Sequence, residues 1–159
     1  MSTPMVLSRR GGELPLPRRL LAIVAVAVAR LLAGLPPGRI RQVLTWVGKG
    51  AHPARHDQAL AARNAVTAVS LVCRGPQGCV PRSIATALLC RAGGIWPTWC
   101  VGVRKVGPFA AHAWVEVDGA MVGEQDPDDY FHRLMVVGVA AHSGCRNDTG
   151  CRNDSVRPA

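Results

Sequence analysis

Apolar residues in the first half of the chain are spaced as helices require. A nearly unbroken apolar run occupies Leu20 to Leu35, and Gly34 followed by Pro36-Pro37 predicts where its helix ends. Two shorter stretches, from Arg39 to Gly48 and from Gln58 to Val72, place their apolar residues on one helical face. The N-terminal part of the chain is therefore predicted to be helical.

Alternating apolar residues replace this helical spacing later in the chain. Two strands are predicted, joined by a Lys-Val-Gly-Pro turn at 105–108, and a second turn at 117–120 leads into a third strand through Val122. These segments predict a small antiparallel sheet with His112 at the start of its middle strand. The apolar residues of the first two strands are Val101 and Val103, then Trp114, Val115 and Val117.

Cys79 stands between the helical and the alternating parts, at the start of a predicted helix. Glycine and proline at 75–78 predict a tight loop before it, Pro81 suits the first helical turn, and apolar residues recur from Ile84 to Leu89. The helix dipole and the free N–H groups of a first turn lower a thiol pKa from about 8.5 and can donate to an oxyanion. Cys79 is therefore a candidate nucleophile.

His112 is the candidate base for this nucleophile. A lone cysteine or histidine is more often structural, but a helix carrying a thiol against a sheet carrying an imidazole brings the two into hydrogen-bonding reach. An acidic residue would then hold the imidazole in its productive tautomer. Glu124 and Asp126 both lie beyond the last turn, and either carboxylate fits this role.

Two further residues are candidates for the same site. Gln77 precedes the cysteine by two positions, and its amide can donate to an oxyanion. Trp114 follows His112 by two positions, so both side chains share one face of a strand, where the indole can wall off the imidazole or hold peptide. Core packing is the role predicted for Trp96 and Trp99.

Composition predicts one small domain without a nucleic-acid site. A chain of 159 residues, 48% of them hydrophobic, can bury one core. Its net charge of +9 would suit nucleic acid, but the basic residues are scattered and no aromatic residues are interleaved with them. An acidic peptide, an acidic protein or a membrane surface accounts for the charge as well.

No metal and no cofactor are expected. The six cysteines include no C-x-x-C pair, which argues against a zinc site. A disulfide framework is not expected either, because the chain has a hydrophobic core of its own and no convincing export signal. Cys73, Cys90 and Cys100 are predicted to be buried structural thiols. The chain also lacks the glycine-rich phosphate loop and the dinucleotide-binding fingerprint.

The run from Leu20 to Leu35 also resembles a signal peptide or membrane anchor, because Arg18-Arg19 precede it. It contains Arg30 and is shorter than the roughly 20 apolar residues that span a bilayer. We therefore predict a helix that docks on its own domain or on a partner within a cytoplasmic protein. Peripheral membrane contact is the alternative.

Three segments resemble the transglutaminase-like cysteine protease of lasso-peptide biosynthesis, the enzyme that removes the leader from a ribosomally made precursor. They are LPRRLLAIVAVAVARLLAGLPP, the long segment from Ala65 to Gly119, and VGEQDPDDYFHRLMVV. The resemblance implies that the cysteine of GC-x-x-RS, Cys79, is the nucleophile and that His112 of AHAWVE is the base. It also implies an acid about a dozen positions later, which falls on Glu124.

The third residue of that family is commonly aspartate, so Glu124 departs from the pattern and Asp126 is the nearby substitute. Glu124 is favoured because it follows the hairpin directly, whereas Asp126-Pro127 resembles a turn.

The resemblance implies an α+β fold of the transglutaminase-like or papain-like kind, with N-terminal helices and the nucleophile helix packed against a small antiparallel sheet. It implies three partners: the precursor peptide, a leader-recognition protein of the RiPP recognition element type, and a separate ATP-dependent lasso cyclase.

The chain is predicted to divide into four parts. Residues 1–16 form a disordered N-terminus, residues 17–50 a helical, partner-binding region, and residues 51–140 the protease core. Residues 141–159 form a disordered tail with the duplicated hexapeptide GCRNDT/GCRNDS.

Overall fold

The computed structural model describes residues 14–124 and 130–139. The helices are α1 (Leu16–Ala33), α2 (Pro37–Val47), α3 (His56–Val69), α4 (Leu71–Arg74) and α5 (Cys79–Ala92). The strands are β1 (His52–Pro53), β2 (Ile95–Trp96), β3 (Thr98–Arg104), β4 (Ala111–Val117), β5 (Ala120–Met121) and β6 (Phe131–Val137). The predicted α+β fold, with N-terminal helices and a small antiparallel sheet, is confirmed.

The first helix begins earlier than its apolar run. α1 starts at Leu16 because Pro17 fits the first turn, where a missing N–H costs no hydrogen bond. It ends where predicted, at Gly34, whose N–H donates to the carbonyl of Leu31 at 3.2 Å. The following prolines stop α1, and Pro37 in turn opens α2.

The predicted helix from Gln58 to Val72 is wrong at its C-terminal end. It divides into α3 and α4 at Ser70, which adopts an extended conformation. The Ser70 hydroxyl accepts a hydrogen bond from the N–H of Cys73 at 3.3 Å and so caps α4. A serine that satisfies a free N–H in this way favours a new helix start over continuation of the old helix.

The main sheet has four strands in the order β5-β4-β3-β6, and the neighbouring strands are antiparallel. The predicted strands around Val101 and Val115 are β3 and β4, and His112 lies near the start of β4 as expected. β6 was not predicted, although it pairs with β3 along its length. A separate pair of short parallel strands, β1 and β2, was also missed.

The core lies around α5, which packs against α1 and α3 on one side and against the sheet on the other. Ile84 and Ala87 of α5 are fully buried. The indole of Trp99 enters the same core and donates to the Ser83 hydroxyl at 3.0 Å. Trp96 and Trp99 are each 1% exposed, in agreement with the packing role predicted for them.

Cys73, Cys90 and Cys100 are free and buried, as predicted. Burial raises the pKa of Cys90 and of Cys100 to about 12. In the described part of the chain, no His, Cys, Asp and Glu side chains gather in a group of three or more that could hold a metal ion.

No helix between residues 14 and 124 is long and apolar enough to cross a membrane. Several predictions fall wholly or partly outside the described residues: the disorder of 1–16 and 141–159, the duplicated hexapeptide with Cys145 and Cys151, and the candidate acid Asp126.

Candidate active site

The cysteine is held at the start of a buried helix by a tight turn. A single 3₁₀ turn, Pro76–Gly78, leads directly into α5, whose first residue is Cys79. Gly78 is required there, because a Cβ at this position would clash with the backbone carbonyl of Val72 in α4. The turn can therefore pass against α4 and leave the thiol partly accessible.

The imidazole comes from β4 and is held by aromatic rings. The ring of His112 stacks on that of Phe131 at 4.9 Å between centroids and on that of Trp114 at 5.9 Å. Gly102 lies opposite His112 in β3, and a Cβ there would lie 2.8 Å from the Trp114 indole. A glycine in β3 thus makes room for the indole beside the imidazole.

His112 lies between the thiol and a carboxylate. Its Nε2 is 3.4 Å from Oε2 of Glu124, which leaves Nδ1 as the ring nitrogen available to Cys79. The hydrogen bond to Cys79, followed by that to Glu124, raises the pKa of His112 to about 9, although burial opposes the rise.

The thiol is perturbed in the complementary direction. The hydrogen bond with His112 lowers the pKa of Cys79 below the usual value of a thiol. Burial opposes this change, while the backbone N–H groups of Ala113 and Val80 reinforce it. A raised imidazole pKa and a lowered thiol pKa together favour a thiolate–imidazolium pair, the reactive form of a cysteine nucleophile.

Two arginines hold the carboxylate from its other side. Oε1 of Glu124 accepts hydrogen bonds from Nη2 of Arg63 at 3.2 Å and from Nη2 of Arg82 at 3.3 Å. The Glu124 side chain is 11% exposed. Burial raises the pKa of Glu124, but the hydrogen bond from His112 and the charges of Arg82 and Arg63 outweigh it, so the pKa is lowered. Glu124 is therefore held ionised beside the imidazole.

The chain reaches this position through a second required glycine. Gly123 has a φ of +68°, and a Cβ there would lie 2.9 Å from Cδ of Arg63. Only glycine adopts this backbone conformation without strain and also leaves room for the arginine. The turn after β5 thereby aims Glu124 at His112.

The structure thus brings Cys79, His112 and Glu124 together in the order predicted. Asp126 lies outside the described residues. Gln77 lies exposed in the 3₁₀ turn that precedes the cysteine. The catalytic roles of all these residues stay predictions.

Trp114 is only 2% exposed, and its Nε1 donates to Oε1 of Glu116 at 2.7 Å. The indole lies beside the imidazole, and both predicted roles, walling off the imidazole and holding peptide, stay predictions.

Sequence reasoning missed Arg63, Arg82 and Phe131. Arg82 lies one helical turn after Cys79, and an arginine among the buried residues of a nucleophile helix is a usable signal, because a buried guanidinium requires an anionic or polar partner. Arg63 and Phe131 carry no such local signal. Their positions depend on the packing of α3 and on the pairing of β6.

A cavity of about 680 Å³ lies at the other end of β4, lined by Trp96, Glu116 and Asp118 among others. His112 lies near the opposite end of the same strand, so this cavity is separate from the cluster around Cys79. The candidate chemistry is confined to the junction of α5, the start of β4 and the turn after β5.

Comparison with protein families matches residues 22–136 to the transglutaminase-like superfamily. No curated protein and no solved structure matches the chain. The family match covers more than half of the chain and includes Cys79, His112 and Glu124. The chain therefore belongs to the transglutaminase-like superfamily.

Proposed function

We propose that this protein is a cysteine peptidase that removes the leader from a ribosomally synthesised lasso-peptide precursor. The observation that carries the peptidase assignment is the contact of Cys79, at the start of α5, with His112, which in turn contacts Glu124. A thiol, a base and an orienting carboxylate in this order are the groups that covalent acyl transfer requires.

In the proposed reaction, the Cys79 thiolate attacks the carbonyl carbon of the last leader residue. Free N–H groups at the start of α5, and the amide of Gln77, are the candidate donors to the resulting oxyanion. The imidazolium of His112 then protonates the departing amine as the C–N bond breaks, which leaves a thioester on Cys79. His112 next takes a proton from a water molecule whose oxygen attacks the thioester carbon; the C–S bond breaks, the leader leaves as a carboxylic acid, and the Cys79 thiolate and the imidazolium are restored.

Glu124 contributes by stabilising the charged imidazole. Its carboxylate favours the imidazolium and holds the ring in the orientation in which the other nitrogen faces the thiol. Arg63 and Arg82 help to lower the pKa of this carboxylate, so it is a weak base and the proton stays on the imidazolium of His112.

The lasso-precursor assignment is supported by the resemblance of the segments around Cys79 and His112 to the lasso leader peptidases. In this proposal, a leader-recognition protein of the RiPP recognition element type delivers the precursor in the cytoplasm. Cleavage frees the core N-terminus, which a separate ATP-dependent cyclase joins to an acidic side chain to form a macrolactam.

Mass spectrometry of the precursor incubated with its recognition protein and this enzyme tests the proposal. Wild type should release leader and core, and Cys79→Ala should release neither. Cys90→Ala is the matched control, because Cys90 lies on the same helix but is buried, and this variant should cleave as wild type does. Absence of cleavage by wild type, or undiminished cleavage by Cys79→Ala, would contradict the peptidase assignment.

The same assay distinguishes the two alternatives that the sequence left open. A non-catalytic adaptor would support downstream cyclisation equally well as wild type and as Cys79→Ala. An acyl transferase would depend on Cys79 but would yield a leader joined to an added amine, with the corresponding increase in mass, instead of a free carboxylate.

A further inference from the structure

The outer face of α1 is apolar, and no part of the chain between residues 14 and 124 or 130 and 139 covers it. The helix has 18 residues. Val26 is buried and Leu32 is half-buried, but its other seven large aliphatic side chains are between 40% and 77% exposed. With about 3.6 residues per turn, these side chains and Ala27 occupy a continuous arc of roughly 160° that contains no polar residue. The aliphatic residues of this outer face are Leu16, Leu20, Leu21, Ile23, Val24, Val28 and Leu31.

The helix is inverted relative to an ordinary surface helix, which turns its large apolar residues inward. Ala22 and Ala29 are fully buried, and Ala25 and Val26 are 7% and 8% exposed, so α1 meets its own domain mainly through three alanines and one valine. Small residues allow α1 to approach α5 closely, but they leave the leucines and valines on the opposite side. A contiguous exposed apolar surface of this kind marks an interaction site.

Charge indicates what the outer face contacts. From Leu14 to His56 the sequence contains no aspartate or glutamate. By helical spacing, Arg19 and Arg30 lie along one border of the outer face. The basic residues of the segment are Arg18, Arg19, Arg30, Arg39, Arg41, Lys49 and Arg55. This charge is complementary to an anionic surface, and it opposes pairing of α1 with a second copy of itself.

The chemistry of the face favours lipid over protein. Protein interfaces are enriched in aromatic and arginine anchors and carry hydrogen bonds across the contact. The outer face of α1 has no aromatic residue and no side chain that can donate or accept a hydrogen bond. Aliphatic side chains bordered by arginines are what a helix lying in the plane of a bilayer interface requires.

We propose that α1 binds the surface of an anionic membrane. The helix lies in the interface with its aliphatic face among the acyl chains, and Arg19 and Arg30 contact lipid phosphates at its border. It does not span the bilayer. Because α1 packs on α5, the helix that begins with Cys79 adjoins the membrane-bound helix. This proposal does not depend on the proposed peptidase activity.

Co-sedimentation of the full-length chain with lipid vesicles tests the proposed membrane binding of α1. Wild type should bind vesicles of phosphatidylcholine and phosphatidylglycerol, should bind pure phosphatidylcholine less, and should be released by salt. Leu20→Gln/Val24→Gln should weaken binding by roughly tenfold or more, because two inserted aliphatic side chains are lost. Arg19→Gln/Arg30→Gln should reduce the preference for phosphatidylglycerol.

A matched control is available on β6. Leu134 and Val136 are also exposed aliphatic residues, so Leu134→Thr/Val136→Thr removes apolar surface elsewhere and should bind as wild type does. Quenching by brominated lipids adds a positional measurement: a tryptophan introduced as Val24→Trp should be quenched more strongly than one introduced as Leu134→Trp.

Three results would overturn the proposal. One is wild type that stays in the supernatant with phosphatidylglycerol vesicles. Another is equal vesicle binding by wild type and Leu20→Gln/Val24→Gln. The third is a wild type that does not bind vesicles but uses α1 to form a dimer in sedimentation velocity or to bind the leader-recognition protein. The outer face would then be the binding surface for a second copy or for that partner.

Discussion

Glu124→Gln isolates the charge that is proposed to hold the thiolate–imidazolium pair. The substitution keeps the shape of the side chain and an oxygen for the two arginines, but it removes the negative charge 3.4 Å from Nε2 of His112. Cys79 should then require a higher pH to ionise. The measurement is the rate of alkylation of Cys79 by iodoacetamide as a function of pH, which needs no knowledge of the substrate.

The expected size of the effect follows from the geometry. Two unit charges 3.4 Å apart attract by about 5 kcal/mol at an effective dielectric constant of about 20. Arg63 and Arg82 sit on the same carboxylate and offset much of this field, so we expect an effect of about 1 to 2 pH units, or about 1.4 to 2.7 kcal/mol. At about pH 6, alkylation should be roughly ten- to a hundredfold slower than in wild type.

The effect of Glu124→Gln on the alkylation rate depends on whether Cys79 is mainly a thiol or mainly a thiolate at the pH of the assay. At acid pH, the carboxylate stabilises the imidazolium that accompanies the thiolate, so its loss slows the reaction there. At a pH well above 9, Cys79 is ionised with or without that partner, and wild type and Glu124→Gln should react alike. Because the chain has five other cysteines, the rate is read by mass spectrometry on the peptide that contains Cys79. Cys90 and Cys100 are buried and have pKa values of about 12, so they should react slowly.

Asp126→Asn is the matched control and should leave the profile unchanged. An unchanged profile in Glu124→Gln would refute the electrostatic role assigned to Glu124. A shifted profile in Asp126→Asn alone would transfer that role to Asp126. Equal slowing of Glu124→Gln at every pH would indicate a misplaced cysteine and would also contradict the reasoning.

Arg82→Met leaves the buried Glu124 carboxylate with one arginine, so at neutral pH the free energy of unfolding should fall by about 2 kcal/mol in urea titrations. The pKa of Glu124 is lowered in the fold, so the stabilisation from this ion pair is present above the usual carboxyl pKa and is lost as pH falls through the lowered value. Arg82 also donates to the carbonyl of Cys73 at 3.3 Å, a bond lost at every pH, so a deficit that does not shrink at all on protonation would contradict the ion pair as its cause. Gly78→Ala should slow Cys79 alkylation and lower the melting temperature, because its Cβ clashes with the carbonyl of Val72, whereas wild-type reactivity would disprove that clash.

The chemistry-bearing elements were predictable where their signals are local. Pro81 and the apolar spacing after Cys79 predict the start of α5, and alternation around Trp114 predicts the strand that carries His112. The break at Ser70 was not predicted, because the apolar spacing continues across it and the cap is a single hydroxyl hydrogen bond. β6 was not predicted from the sequence, although it pairs with β3 at the edge of the sheet.

The residues that surround the Glu124 carboxylate could not be predicted from local sequence patterns. Arg63 and Arg82 lie 61 and 42 positions from Glu124 in the chain, and only the packing of α3 and α5 beside the turn after β5 brings them together. Phe131 reaches His112 across two strand pairings. No periodicity in one segment encodes a contact whose partner lies in another.

In α1, some properties follow from the sequence alone and others only from the tertiary structure. Its apolar run, its terminating glycine and its lack of acidic residues are properties of the sequence, because helix formation, helix ends and charge depend on neighbours along the chain. Which side is buried depended on the fold, because only close packing against α5 selects alanines over leucines. The same distinction holds at the site: local patterns placed Cys79 and His112 on their elements, and long-range packing brought them to a carboxylate kept ionised by two arginines.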